Sequence, residues 1–122
     1  MLTACLGLAL TASAAPTEAE AKAALGSRTT GDFTYYNTGL GACGWVNYDS
    51  DLVAAVGHGL FDRERPCGRT ARIHYNSKSL VVNIVDRCGG CADTALDLSP
   101  TAFRKLVGTL GPGRVQGTWE FT

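Results

Sequence analysis

Arg72-Ile73-His74-Tyr75-Asn76-Ser77-Lys78-Ser79-Leu80-Val81-Val82-Asn83-Ile84-Val85-Asp86 is the stretch that decides the fold class. Two runs rich in β-formers, Arg72 to Tyr75 and Leu80 to Val85, flank the polar turn Asn76 to Ser79, which is the pattern of a hairpin. The second arm alternates, so Leu80, Val82 and Ile84 share one face, and period two carries that face to Asp86. A carboxylate there stands in line with a buried row where the strand meets Gly89-Gly90, partly desolvated or at a rim.

Working outward, Asp32 to Tyr36 alternates and predicts a first strand, followed by the glycine loop Thr38 to Ala42. Asp49 and Ser50 are placed to cap a short helix over Asp51 to Val56, with Gly57 and Gly59 ending it. Ser99 has the character of an N-cap with Pro100 at the first helical position. Ala102, Phe103 and Leu106 then form the inward stripe of a helix that ends at Gly108. Val115, Gly117, Trp119 and Phe121 alternate with polar residues as a closing strand. Many short strands with two short helices predict a small barrel.

The chain has 122 residues, and Met1 to Ala15 carry no charge while running through Leu6 to Leu10 into Ala12-Ser13-Ala14. That reads as a secretory signal, although it lacks the usual basic residue near Met1. A membrane-spanning helix would need about twenty apolar residues, and Thr11, Ser13 and Pro16 interrupt after a dozen or so. Residues 16–31 are polar and small, a flexible linker, and 32–122 read as one domain. The expected protein is secreted and extracellular.

Removing the signal takes Cys5 with it and leaves Cys43, Cys67, Cys88 and Cys91. In an oxidising compartment these make two bridges with three possible connectivities, among which the sequence does not choose. The expected pairing is Cys43 to Cys67 and Cys88 to Cys91. A zinc site would want ligands in tight pairs, but Cys43 and Cys67 are isolated and His58 and His74 lie far from either. A redox dithiol belongs at the strand-to-helix junction of a βαβ unit, which is not the pattern around Cys88-Gly89-Gly90-Cys91. A structural bridge is therefore the favoured reading, and closing the 43 to 67 loop adds roughly 3 kcal/mol to a small core.

Eleven basic residues balance eleven acidic ones. A nucleic-acid binder would show a basic excess, whereas the cluster Arg63, Arg65, Arg69 and Arg72 is broken by Asp62 and Glu64, so a neutral partner is expected. Two carboxylates eleven residues apart, Asp86 ending a strand and Asp97 before a helix cap, can converge on a groove, and paired acids are the tools of glycoside cleavage. Blander roles compete: Asp86 pairing with Arg87 or with loop amides, and Asp97 serving backbone donors near the Ser99 helix.

Val81-Val82-Asn83-Ile84-Val85-Asp86-Arg87-Cys88, Ala95-Leu96-Asp97-Leu98-Ser99-Pro100-Thr101-Ala102-Phe103-Arg104-Lys105-Leu106, Gly113-Arg114-Val115 and Trp119 together resemble the catalytic-domain portion of expansins and the rare lipoprotein A group. Gly31 to Tyr36 resembles the first strand of the same family. The resemblance implies a mainly β fold, a six-stranded double-psi β-barrel with short peripheral helices. It implies that Asp97 is the acid needed for wall loosening and Asp86 its groove partner. Thr34 and Tyr35 match groove residues of the first strand, and Tyr35 or Tyr36 would stack on sugar rings. Strand neighbours point to opposite faces, so only one of the two tyrosines should reach the groove.

Ala95-Leu96 stands where plant expansins have His-Phe, and no second domain follows Thr122, so the chain looks like the single-domain, loosenin-like type. Where family-45 glycoside hydrolases place a base Asp, the sequence reads Tyr36-Asn37-Thr38-Gly39. Inverting hydrolysis needs both acid and base, so the implied activity is non-lytic binding and loosening of cellulose, chitin or peptidoglycan by a monomer. His58 lies about two residues out of step with the lipoprotein-group motif and reads as a loop residue. Trp45 and Trp119 read as core or rim packing. Two alternatives stay open: a weak glycan-cleaving enzyme using Asp86 and Asp97, and an inhibitor of papain-like cysteine proteases acting through exposed loops. No metal, organic cofactor, nucleic acid or membrane partner is implied.

Overall fold

A computed structural model describes residues 28–122. The signal segment and residues 16–27 of the expected linker lie outside the described residues. Six strands close into one barrel in the spatial order β1-β5-β2-β4-β3-β6. They are β1 (Thr29–Tyr35), β2 (Val53–Gly57), β3 (Thr70–Tyr75), β4 (Lys78–Cys88), β5 (Leu96–Leu98) and β6 (Val115–Phe121), with helices α1 (His58–Glu64) and α2 (Pro100–Val107). The predicted mainly β barrel with two short helices is what forms. Among the described residues no helix is long and apolar enough to cross a membrane.

The hairpin β3–β4 pairs antiparallel from Thr70 opposite Asn83 to Tyr75 opposite Lys78, so its turn is Asn76-Ser77, tighter than expected. Asn76 takes the left-handed conformation that Asn tolerates in such turns. β1 starts at Thr29, taking in Thr29, Thr30 and Gly31 from the stretch read as linker. It pairs antiparallel with β6 and parallel with β5.

The predicted helix over Asp51 to Val56 is not formed: Val53–Gly57 is the strand β2, buried along its whole length. It lies between β4, to which it is parallel, and β5, to which it is antiparallel. Burial on both faces overrides the modest helical preference of Ala54-Ala55. Its helix follows instead at His58, with no side-chain cap at Gly57 and a left-handed Arg65 at its end.

Phe33, Ile73, Ile84, Leu96, Leu98 and Phe103 are wholly buried at the centre of the barrel. α2 packs Ala102, Phe103 and Leu106 onto that core. Its start is the predicted one. Ser99 is extended, its hydroxyl accepts from Ala102 N–H at 3.2 Å and donates to the Asp51 carbonyl, and Pro100 opens the helix. Gly108 ends it in the left-handed conformation. Trp119 is buried, its indole N–H bonded to the Thr94 carbonyl at 2.9 Å.

Two disulfides complete the frame, Cys43–Cys67 and Cys88–Cys91, the expected pairing. Ser99→Ala leaves both the Ala102 amide and the Asp51 carbonyl without their partner inside the fold. It is expected to cost about 1–2 kcal/mol, read as a lowered midpoint with unchanged slope in urea unfolding.

Candidate functional site

The register of four adjacent strands builds the site. Thr34 on β1 lies opposite Asp97 on β5, Asp97 opposite Ala55 on β2, and Ala55 opposite Asp86 on β4. Directly paired residues share a face. Leu96 and Leu98 on either side of Asp97 are wholly buried, as are Phe33 beside Thr34 and Ala54 and Val56 beside Ala55. The row Thr34–Asp97–Ala55–Asp86 therefore lies on the outside of the barrel, two carboxylates separated by the small floor of Ala55.

Asp86 reaches this row through an irregularity. Ala54 pairs with Ile84 and the next residue, Ala55, with Asp86, so Val85 is an extra residue in β4. The period-two reading that lined Asp86 up with Val82 and Ile84 is corrected by this bulge, which turns the carboxylate out of the inward row. Asp86 Oδ1 accepts from Ala42 N–H and from Arg87 N–H, each at 2.8 Å. The Arg87 guanidinium turns away and forks onto Asp62 of α1 at 2.9 and 3.0 Å. Of the blander roles foreseen for Asp86, the loop-amide contact is present and the Arg87 side-chain pair is not.

Asp97 is half-buried. Thr34 Oγ1 donates to its Oδ1 at 2.7 Å. Burial pushes its carboxyl above the ordinary range, the Thr34 hydrogen bond opposes that, the Asp86 charge adds to it and Arg114 offsets it. Tyr36, just beyond β1, shares the face of Thr34 by period two. Its phenol is held well above its ordinary range, first by burial and then by the charges of Asp86 and Asp97. Tyr35 points the other way and packs against Phe103, ring centroids 5.0 Å apart. Of the two tyrosines, Tyr36 is the one beside the carboxylates.

The sequence reading passed over Asp49 as a chemical group. It lies across the segment after β1, accepting from Thr38 N–H at 2.7 Å and Thr38 Oγ1 at 2.9 Å through one oxygen and from Asn37 Nδ2 at 2.9 Å through the other. These bonds, the Thr38 amide first, hold its carboxyl below the ordinary range. Its charge also bears on Tyr36. The cap signal that suggested a helix at Asp49 is used to close this loop.

Two features flank the row. On one side a cavity of about 460 Å³ opens beside Thr34, with Asp32, Arg114 and Cys91 among its walls. The Asp97 carboxylate and the sulfurs of Cys88 and Cys91 lie within 4.8 Å of one another. Joined as a disulfide, those sulfurs offer no thiolate to a metal. On the other side Gly39 to Asn47 folds back on itself, Leu40 bridging to Val46. Gly41 presses on β4, where a Cβ would stand 2.5 Å from the Val85 carbonyl oxygen. Leu40, Trp45 and Val46 are exposed on this loop, and Tyr48 just beyond it. His58 is exposed at the start of α1.

Comparison with known proteins places this architecture. No protein-family model matches the sequence. The papain inhibitor of Streptomyces mobaraensis is 34% identical over 121 residues, which span 92% of this chain and 82% of that protein. The solved structure of the Streptomyces papain inhibitor superposes with a TM-score of 0.71 at 34% identity, covering 80% of this chain and 96% of that one. The chain belongs to the expansin-like double-psi β-barrel family.

Other members extend beyond it. The Allergen Asp f 7 homolog of Arthroderma benhamiae is 32% identical over 117 residues, 80% of this chain and 40% of that protein. The putative expansin-B2 of Arabidopsis thaliana is 36% identical over 91 residues, 64% of this chain and 33% of that protein. A Clavibacter michiganensis expansin variant, solved in complex with cellohexaose, shares the fold with a TM-score of 0.70 at 24% identity, over 78% of this chain and 50% of that one. The chain thus spans well under half the length of the allergen homolog and of the plant expansin.

Asp97 makes stability depend on pH. Because its folded pKa is raised above the ordinary 3.8, the folded state holds the proton more tightly than the unfolded chain. Stability is therefore lost as pH rises from the ordinary carboxylate range through the raised value. Asp97→Asn keeps an acceptor for Thr34 and removes the ionisation, so it is expected to melt higher than wild type at about pH 7, with the gap closing toward about pH 3. Thermal unfolding of both proteins across that range checks the sign.

Proposed function

We propose that the chain binds a cell-wall polysaccharide along the Thr34–Asp97–Ala55–Asp86 row and loosens its packing without cutting it. The observation that carries this reading is the row itself: a carboxyl, a hydroxyl and a second carboxylate spaced across four strands, with Tyr36 beside them. In this reading Tyr36 supplies a face for a sugar ring, and Thr34, Asp97 and Asp86 bond its hydroxyls. Asp97, whose carboxyl is raised by burial, both donates and accepts, while Asp86 is positioned by two backbone amides. Cellulose, chitin and peptidoglycan all present the required hydroxyls. The reading needs no cofactor and takes the protein as secreted, extracellular and monomeric.

The way the acids are engaged supports the non-lytic reading. Inverting cleavage needs a free carboxylate to activate water opposite the acid. Asp49 has both oxygens occupied by loop donors and a lowered pKa, which makes it a weak base. One oxygen of Asp86 is likewise taken by two amides. With Asp97 as the acid and no second carboxylate free of loop or backbone donors, the reading is binding and loosening.

A second reading, inhibition of a papain-like protease, is favoured by the relative that this chain matches over most of both lengths and by the projecting loop Gly39 to Asn47. Cys43–Cys67 and the Ala42 contact to Asp86 hold that loop in shape. Three large apolar side chains exposed on it, Leu40, Trp45 and Val46, with Tyr48 just beyond, suit insertion into a cleft.

Pull-downs on cellulose, chitin and peptidoglycan, with reducing-sugar release and papain inhibition measured alongside, separate these readings. Wild type is expected to be retained on at least one polymer and Asp97→Ala to be retained less, with no sugar released by either. Sugar release that depends on Asp97 would replace loosening with cleavage. Absence of binding together with inhibition of papain, weakened about tenfold or more by Trp45→Ala and unaffected by Asp97→Ala, would establish the second reading.

A further inference from the structure

The two disulfides stand in different relations to the fold. Cys43–Cys67 spans 24 residues and ties the loop after β1 to the segment before β3. A cross-link of that reach restricts the unfolded chain by roughly 3 kcal/mol. Cys88–Cys91 spans three. It closes a turn in which the Cys91 N–H already bonds the Cys88 carbonyl at 3.3 Å, and so short a loop removes little chain entropy. Cys88 is held in β4 opposite Gly57 without it. Gly57 itself is covered by the turn, since a Cβ there would stand 2.1 Å from the Ala92 carbonyl oxygen.

The short bridge is also reachable. Both cysteines are only partly buried, Gly89 and Gly90 between them have open space around them, and Cys91 lines the 460 Å³ cavity beside Thr34. The Asp97 carboxylate lies within 4.8 Å of both sulfurs. We propose that Cys88–Cys91 is a thiol–disulfide exchange centre, with the Asp97 carboxyl as its proton donor and acceptor. This activity is separate from glycan binding and from protease inhibition.

The co-reactant is a thiol. Its thiolate attacks one sulfur of the bridge, a mixed disulfide forms, and the Cys88–Cys91 bond breaks with its electron pair on the other sulfur. Asp97 gives that leaving thiolate its proton. The second thiol gives its proton to the ionised Asp97 and attacks the outer sulfur of the mixed disulfide; the oxidised thiol pair leaves, the freed cysteine thiolate takes that proton, and Cys88 and Cys91 end as a reduced dithiol, while the proton shed by the first thiol restores Asp97. Two thiols are oxidised and one disulfide is reduced; the reverse sequence oxidises a dithiol, with ionised Asp97 taking the proton back. The charged and titratable groups facing Asp97 are Asp86 on β4, Tyr36 beyond β1 and Arg114 ahead of β6. Burial holds the carboxyl protonated to higher pH than an exposed one, as a proton donor in this place requires.

Glutathione is the probe. The folded full chain is incubated with reduced glutathione, quenched by alkylation and mapped by mass spectrometry. Cys88 and Cys91 are expected to become alkylated while Cys43 and Cys67 stay joined. At about pH 4, Asp97→Asn is expected to open about a hundredfold more slowly than wild type, the ratio shrinking as pH rises and Asp97 ionises. Thr34→Val, which removes the bond that favours the ionised carboxylate, is expected to keep its rate advantage over Asp97→Asn to higher pH than wild type does. Reduction of both bridges at one common rate would overturn the proposal. So would an unchanged pH profile in both variants, which would leave a structural staple that happens to lie near an acid.

Discussion

Everything at the site depends on the burial of β2 between β5 and β4. Val53–Gly57 has no exposed residue, and it pairs on one side with β5 running against it and on the other with β4 running alongside. Its N–H and C=O groups are thereby bonded on both edges, as burial requires. That double pairing sets residues from positions 34, 55, 86 and 97 side by side. Ala55 is small, so the strand that creates the alignment also leaves room between the carboxylates it aligns.

Where local pattern and global packing agree, the fold was readable from the chain. The β3–β4 hairpin, the alternating β6 and the Ser99-Pro100 helix start each carry their own signal, and each formed within a few residues of where it was expected. β2 was misread because Asp49 and Ser50 resemble a cap and Ala54-Ala55 tolerate a helix, while the interactions that make it a strand come from Asn83, Ile84 and Leu98, far along the chain. β5, with three residues, is too short to show a period. The candidate site was legible in its members and not in its orientation. The bulge at Val85 that turns Asp86 outward leaves no mark in an apolar run, and the choice between Tyr35 and Tyr36 follows from the β1–β5 register.

The two acids differ because their surroundings differ. Asp86 is only partly buried and receives two backbone amide donors on one oxygen. Asp97 has one hydroxyl donor, flanks of buried leucine and another carboxylate nearby, all in a half-buried position. Here one oxygen of the second acid is bound to the protein's own backbone, which is why the proposed role of the pair is recognition of neutral hydroxyls.

Asp86 also joins regions that otherwise have separate roles. Its Oδ1 bonds Ala42 in the loop that exposes Trp45 and Val46, while its charge bears on Asp97 and Tyr36 in the row. Gly41 allows the contact by bringing the loop backbone against Val85, the bulged residue. The bulge, the close-packed glycine and the carboxylate thus act as one joint between loop and groove. A change in the loop that shifts Ala42 alters the anchoring of Asp86, and through its charge the ionisation of Asp97. The surfaces favoured by the two functional readings are therefore coupled through a single side chain.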